Sequence, residues 1–299
     1  MTNTSPPYIL EIGGDRPLRP ETVALLRHTQ HAVLKLQADF VVAGATARDL
    51  LLWHVHAIRP ERTTFDVDVA VCAVNWDFHA AVVESLLAMG YFRPDPRNRQ
   101  ALTFEDPDIG PPVTLDLVPF GGVEAPEGEI AWPPKGEFVM NVLGFQEAVD
   151  TAIDIDVGEG VVVPVVSLPA LTLLKLLAWH DRRRRSNKDS SDLGLIFRNY
   201  LGAGNEERIW LATDLLEAYD FDIDLAAAAL LGRDACAIAR SPTCDAITSI
   251  LTDEGMYDTL RRDMLARAAA QMLDDFVDGS DERLAAFRAG FLGATTGDA

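Results

Sequence analysis

Thr64-Phe65-Asp66-Val67-Asp68-Val69-Ala70-Val71 alternates with a period of two, the spacing of a β-strand. Side chains two apart on a strand share a face, so Asp66 and Asp68 point one way while Val67 and Val69 point the other. Aspartate is disfavoured in strands, and two solvated aspartates on an edge strand would be the plainer reading of this pair. A second stretch changes the balance. Val113-Thr114-Leu115-Asp116-Leu117-Val118 sets another aspartate between apolar neighbours. If the two strands pair, three carboxylates cluster, and each raises the pKa of the others unless cations sit between them. Hard oxygen donors of this kind suit Mg²⁺. Two such ions about 4 Å apart can activate an attacking hydroxyl and stabilise a leaving pyrophosphate.

Upstream lies Phe40-Val41-Val42-Ala43-Gly44-Ala45-Thr46-Ala47-Arg48-Asp49-Leu50. A short apolar strand ending in glycine before a helix lets backbone N–H groups approach a phosphate, and the helix N-terminus adds favourable charge. Many strand–helix turns look this way. The Asp pair 22 residues after Gly44 is what makes the stretch specific.

Around these motifs the chain reads as a mixed α/β region followed by helices. Helices are expected at Pro20–Leu36, Ala47–His56 and Phe78–Met89, the last closing at Gly90. Strands are expected at Ala101–Glu105 and Val113–Val118, residues 121–137 read as a loop, and Ala152–Val157 with Val161–Val166 reads as a hairpin. From Ser167 only helices are expected, at 168–182, 189–201, 206–218, 223–239, 243–252, 256–277 and 281–292. The fold class is therefore α+β. Its expected parts are a mixed-sheet core over 1–121, an acidic loop and hairpin over 122–166, and an all-α domain over 167–299.

Composition sets the outer bounds. The 299 residues carry 46 acidic and 26 basic side chains, a formal net charge of −20, with an ordinary globular hydrophobic share of 48%. Three scattered cysteines, Cys72, Cys236 and Cys244, are too few for a disulfide framework or a zinc site. No apolar run approaches the roughly 18 residues of a membrane span, and no signal segment opens the chain, so a cytoplasmic protein without membrane partners is expected. Such acidity argues against a broad nucleic-acid surface. It is uneven, however: the net charge is −5 over 1–120, −8 over 121–160, +4 over 161–199 and −11 over 200–299.

Gly44-Ala45-Thr46-Ala47-Arg48-Asp49, then Asp66-Val67-Asp68, then Asp116, resembles the nucleotidyltransferase core of the DNA polymerase β superfamily. Leu171 to Ala178, with Lys175, and Asn187-Lys188-Asp189-Ser190-Ser191-Asp192-Leu193 are closer to the AbiEii/AbiGii toxin-type nucleotidyltransferases. The resemblance covers roughly 38–200. It implies Asp66, Asp68 and Asp116 as metal-binding catalytic residues holding two Mg²⁺ ions. It also implies nucleotide contacts from Gly44, Ala45, Thr46, Arg48, Lys175, Lys188 and Asp189. Ala45 stands where the superfamily carries a second Gly or Ser, so a phosphate-holding hydroxyl would have to come from Thr46.

The implied reaction moves a nucleoside monophosphate from an NTP to an acceptor hydroxyl, on an RNA 3′ end or a protein, in a toxin with a cognate antitoxin. A small-molecule nucleotidyltransferase of the antibiotic-modifying kind and a non-catalytic protein keeping the fold are the alternatives. Arg182 to Arg185 read either as triphosphate contacts or as cations matched to a helix C-terminus, and Asp189 either as a helix cap or as a fourth acid. His54 and His56, two apart on a helix, diverge too far to share a metal. Arg59, Arg62 and Thr64 read as a surface loop before the Asp pair, and Trp132-Pro133-Pro134 as a stiff loop or a cover.

Overall fold

The computed structural model describes residues 9–60, 66–96, 98, 100–270 and 279–296. Arg62, Thr64 and the expected helix beyond residue 270 lie outside them. The chain divides into two compact units, Met1–Ser167 and Leu168–Ala299.

The first unit is built on a mixed sheet of eight strands. They are β1 (Leu10–Glu11), β2 (Phe40–Ala43), β3 (Asp66–Cys72), β4 (Phe92–Pro94), β5 (Ala101–Phe104), β6 (Val113–Phe120), β9 (Ile153–Asp156) and β10 (Val162–Val165), in the order β1-β9-β10-β2-β3-β6-β5-β4. The valines of β3 explain its central position. Val67, Val69 and Val71 are at most 2% exposed, and full burial of such side chains is worth about 1.5–3 kcal/mol each. β3 runs antiparallel to β2 and parallel to β6. The hairpin expected at 152–166 forms as β9 and β10, with Val162 opposite Asp156.

Helix α1 (Pro20–Lys35) starts on a proline at its first position, where the missing N–H loses nothing. Helix α3 (Trp76–Leu87) is capped by Asn75, whose side chain accepts from the Phe78 N–H at 2.8 Å. It ends at Leu87, with Gly90 (φ +83°) in the turn beyond.

Several expectations for the first unit are corrected. The helix expected from Ala47 starts at Gly44 as α2 (Gly44–Asp49) and widens into a π-helical turn over Leu50–Val55. Part of the loop expected at 121–137 is strand: β7 (Glu129–Ala131) pairs with β8 (Val139–Asn141) in a two-stranded sheet. A short helix, α4 (Phe145–Asp150), was not foreseen. Three-residue strands among glycines and prolines carry too little alternation to be read.

In the second unit the described elements are helical: α5 (Leu168–Arg182), α6 (Lys188–Asn199), α7 (Glu206–Leu211), α8 (Thr213–Ala218), α9 (Ile223–Ile238), α10 (Ser241–Thr252), α11 (Glu254–Ala270) and α12 (Ser280–Thr296). The single helix expected at 206–218 breaks at Ala212, whose ψ of 60° leaves the helical region. Trp179, Phe197, Phe287 and Phe291 fill the core, with Phe197 and Phe287 stacked at 4.7 Å. Gly232 on α9 and Gly290 on α12 let those two backbones touch. A Cβ on either would run into a carbonyl of the other helix.

Candidate active site

The pairing of β3 with β6 places Asp68 directly opposite Asp116, and Asp66 opposite Thr114. Because the strands are parallel and the period is two, Asp66, Asp68 and Asp116 share one face of the sheet while Val67, Leu115 and Leu117 face the core. The Asp116 carboxyl is pushed up to about 7, first by burial and then by the charges of Asp68, Asp66 and Asp95. Asp95 and Asn98, from the turn after β4, were missed by sequence reasoning. Asn98 Nδ2 donates to Asp116 Oδ1 at 3.3 Å, and the Asn98 backbone N–H donates to Asp95 Oδ1 at 3.1 Å. Nothing in the sequence marks a turn 18 residues away as a neighbour of Asp116.

Gly44 is tied to the same face. β2 sets Ala43 opposite Asp68, and the chain then turns at Gly44 with φ +63°. An added Cβ there would overlap the Asp68 carboxylate and stand 2.9 Å from its Cβ. The glycine is therefore required twice, for its backbone angle and for the carboxylate packed on it.

The remaining residues of the turn are positioned differently from one another. Thr46 Oγ1 donates to the Asp66 carbonyl at 2.8 Å. That bond uses the only hydroxyl proton, so an approaching phosphate would meet backbone N–H groups here. Arg48 is 1% exposed, and its Nε donates to Asp49 Oδ1 at 2.8 Å.

Beside Asp66 a cavity of about 310 Å³ opens, walled by Leu18, Thr46, Leu50, Trp53, Arg59 and Asp66 among others. The Arg59 guanidinium lies 5.1 Å above the Trp53 ring. His54 also lines the cavity, and its Nδ1–H donates to the Arg16 carbonyl at 2.6 Å. Burial lowers its pKa, as it does that of His56.

Lys175, Arg182, Asp189 and Asp192 form a cluster within the helical unit. Lys175 Nζ lies 2.6 Å from Asp192 Oδ2 and 3.3 Å from Asp189 Oδ1. Arg182 grips Asp189 with two bonds, at 2.6 and 2.7 Å. Burial alone would raise the Asp189 carboxyl, but the Arg182 bonds and the Lys175 charge hold it below the usual carboxylate range. Asp189 follows Lys188, the first residue of α6, so it is not the cap of that helix. Lys188, Arg184 and Arg185 are exposed.

The three carboxylates suit a divalent cation by donor chemistry, and burial followed by their mutual repulsion raises Asp116. Among the described residues, no three His, Cys, Asp or Glu side chains already converge as a metal cage. Nor is any described helix long and apolar enough to cross a membrane.

Residues 30–293 match the family described as the nucleotidyl transferase AbiEii toxin, of the type IV toxin–antitoxin system. No curated protein matches the chain. Among solved structures it is similar to an antigenic nucleotidyltransferase-like protein from Paracoccidioides brasiliensis, at 16% identity over 69% of this chain and 93% of the other, with a TM-score of 0.41. It is also similar to the antibiotic-resistance factor ANT(2'')-Ia, at 17% identity over 68% and 95%, with a TM-score of 0.35. A CCA-adding enzyme in complex with CTP follows at 13% identity over 92% and 79%, with a TM-score of 0.23. At such scores these likenesses add nothing to the family match. That match spans most of the chain, and the protein belongs to the AbiEii family of nucleotidyltransferases.

Proposed function

We propose that the face formed by Asp66, Asp68 and Asp116 is the transfer centre, moving a nucleoside monophosphate from an NTP to an acceptor hydroxyl with Mg²⁺ bound at those carboxylates. The observation that supports this best is the register of Asp68 against Asp116 together with the elevated Asp116 carboxyl. Asp66 and Asp68 would hold both ions, and Asp116 would complete the catalytic one. When bound, the cations neutralise the carboxylates and the charge building on the phosphates.

The backbone N–H groups of the turn at Gly44, Ala45 and Thr46 orient the triphosphate. Asn98 fixes Asp116 through Oδ1, leaving Oδ2 to receive the proton of the acceptor hydroxyl. The acceptor oxygen then bonds to the α-phosphorus as the bond to the β-phosphate oxygen breaks. Pyrophosphate leaves with that electron pair. The rate advantage comes from positioning and fixed charge. The family description supports a toxin role with a cognate antitoxin as partner, and the acceptor we assign is an RNA 3′ end or a protein hydroxyl.

The test is Mg²⁺-dependent transfer from α-labelled NTPs to total RNA or protein. Wild type should label an acceptor, and Asp68→Ala should lose the signal. Equal labelling by the two, or transfer undiminished by EDTA, refutes the assignment.

A further inference from the structure

The helical unit carries apolar side chains that its own core does not use. Trp210 and Leu211, at the end of α7, are 60% and 83% exposed, and Phe221, in the turn between α8 and α9, is 66% exposed. Ile223, the first residue of α9, adds to them. Trp132 and Trp179 are buried and Trp53 and Trp76 partly so, which leaves Trp210 as the exposed tryptophan.

Ion pairs fix where these side chains stand. Arg208 of α7 bonds Asp234 of α9 at 2.7 Å, and Asp214, near the start of α8, is gripped by Arg233 of α9 at 2.5 Å. Helix α8 therefore runs back along α9, and Phe221 beyond its end comes to the α9 N-terminus beside Ile223. From Ile223 to Arg233 is about 15 Å of helix. Trp210 and Leu211 lie at one end of this span, Phe221 and Ile223 at the other. Between them α8 turns Leu215 and Leu216 inward and leaves Asp214 and Glu217 exposed.

Phe221 is held outward against ordinary preference. Asp220 and Phe221 have φ of +51° and +64°, a region that glycine or asparagine usually fills at a helix end. The Phe221 N–H closes the turn on the Leu216 carbonyl at 2.8 Å, a position from which an apolar side chain commonly packs back onto its helix. Here it faces solvent instead. Backbone strain with no burial in return is characteristic of a surface kept for contact.

Charge selects the partner. Residues 206–224 hold seven acids and one base. The base, Arg208, is committed to Asp234. Glu206, Glu207, Glu217 and Asp220 are exposed and pair with no cation among the described residues. A second copy of this chain would set like charge against like, and a polyanion or an anionic membrane would be repelled in the same way. A cationic partner is attracted, and tryptophan and phenylalanine are suited to anchor it.

We propose that this surface docks a basic amphipathic helix of a partner protein. Apolar side chains about three turns apart would seat on Trp210 with Leu211 and on Phe221 with Ile223, and lysines or arginines between them would face the unpaired carboxylates. The surface lies within the helical unit and does not depend on the assignment of the transfer centre.

The test uses the full-length protein and a fluorescein-labelled peptide of about 18 leucines and lysines, with the leucines at helical spacing. A scrambled peptide of the same composition and one with glutamate for each lysine are the references. Anisotropy should show the helical peptide binding at least tenfold more tightly than either reference, and less tightly as salt rises. Binding should shift the Trp210 emission to the blue, and Trp210→Ser should remove that shift. Phe221→Gly, and Glu207→Lys combined with Glu217→Lys, should each weaken binding tenfold or more. Glu127→Lys combined with Glu137→Lys makes the same charge change at exposed sites of the acidic 121–160 stretch, and should leave binding within twofold. Phe221→Gly should be at least as stable to heat as wild type, because it relieves the backbone.

A helical peptide bound no more tightly than the scrambled one overturns the proposal, as does an equal loss in the Glu127 and Glu137 variant, which would reduce the effect to general charge attraction. Unchanged binding in Phe221→Gly overturns it too. A Phe221→Gly protein clearly less stable than wild type would assign that side chain to folding and refute its role in docking. Self-association of wild type in sedimentation, lost in Phe221→Gly, would give the surface to a second copy of the chain and likewise refute the proposal.

Discussion

Gly44→Ala perturbs the candidate site through two causes that can be separated. The first is the backbone: φ +63° costs an L-residue roughly 1–2 kcal/mol relative to glycine. The second is the overlap of the new Cβ with the Asp68 carboxylate, which must leave its rotamer, adding about 1–3 kcal/mol as overpacking does. The total loss of stability is about 2–5 kcal/mol, and the surviving protein holds the Asp68 carboxylate displaced from Asp116. A double-mutant cycle with Asp68→Ala distinguishes the causes. Once Oδ2 and Cγ are gone, Gly44→Ala should cost the backbone share and the remaining Cβ–Cβ contact at 2.9 Å but not the carboxylate overlap, so the two changes should couple by about 1–2 kcal/mol. Chemical denaturation of the four proteins measures the coupling, and transfer activity measures the displaced carboxylate. If Gly44→Ala matches wild type in both midpoint and turnover, or if the two losses simply add, the packing of Asp68 onto Gly44 does not shape the site.

Two further outcomes follow from the charges. The folded Asp116 carboxyl, at about 7, lies above its ordinary 3.8, so in EDTA its contribution is fully present below about pH 4 and is lost as pH rises through about 7. The full shift would be worth about 4 kcal/mol, and solvent screening brings it to about 2 kcal/mol. Asp116→Asn should therefore raise the metal-free thermal midpoint at pH 8 and leave it nearly unchanged at pH 4. A wild-type midpoint that does not fall between those pH values contradicts this. Lys175→Met should remove a buried cation from beside Asp189 and Asp192, costing about 3–5 kcal/mol in urea titration, with part recovered on also replacing Asp192 by Leu. A Lys175→Met protein as stable as wild type would mean that the lysine is no structural partner of those acids.

The parts of this architecture that were legible in sequence are local ones. The alternation of Asp66-Val67-Asp68-Val69 needs no partner to be read, and neither does the apolar strand before Gly44. That Asp68 meets Asp116 depends on a parallel pairing reached through α3, β4 and β5, a non-local event that no window of sequence contains. The same holds for Trp53 and Arg59. Each looks unremarkable in sequence, and the cavity exists only when the chain before α1, the π-helical turn and the start of β3 converge. Thr46 lies in the first turn of α2 with its hydroxyl directed to the Asp66 carbonyl, and the direction of a rotamer is settled by packing.

Asp116 and Asp189 show why the acidity of the chain has to be divided by place. Both are aspartates whose burial pushes their carboxyls up. Asp189 ends below the usual carboxylate range because Arg182 and Lys175 lie against it. Asp116 ends at about 7 because the charges acting on it are those of Asp68, Asp66 and Asp95. The first cluster is neutralised by the protein's own cations and contributes stability without need of solution chemistry. The second gathers like charges at the end of a glycine turn, and a folded protein keeps such an arrangement at a cost of about 2 kcal/mol unless a positive ion completes it. What the two clusters share is residue type. What separates them is whether the chain supplies the counter-charge.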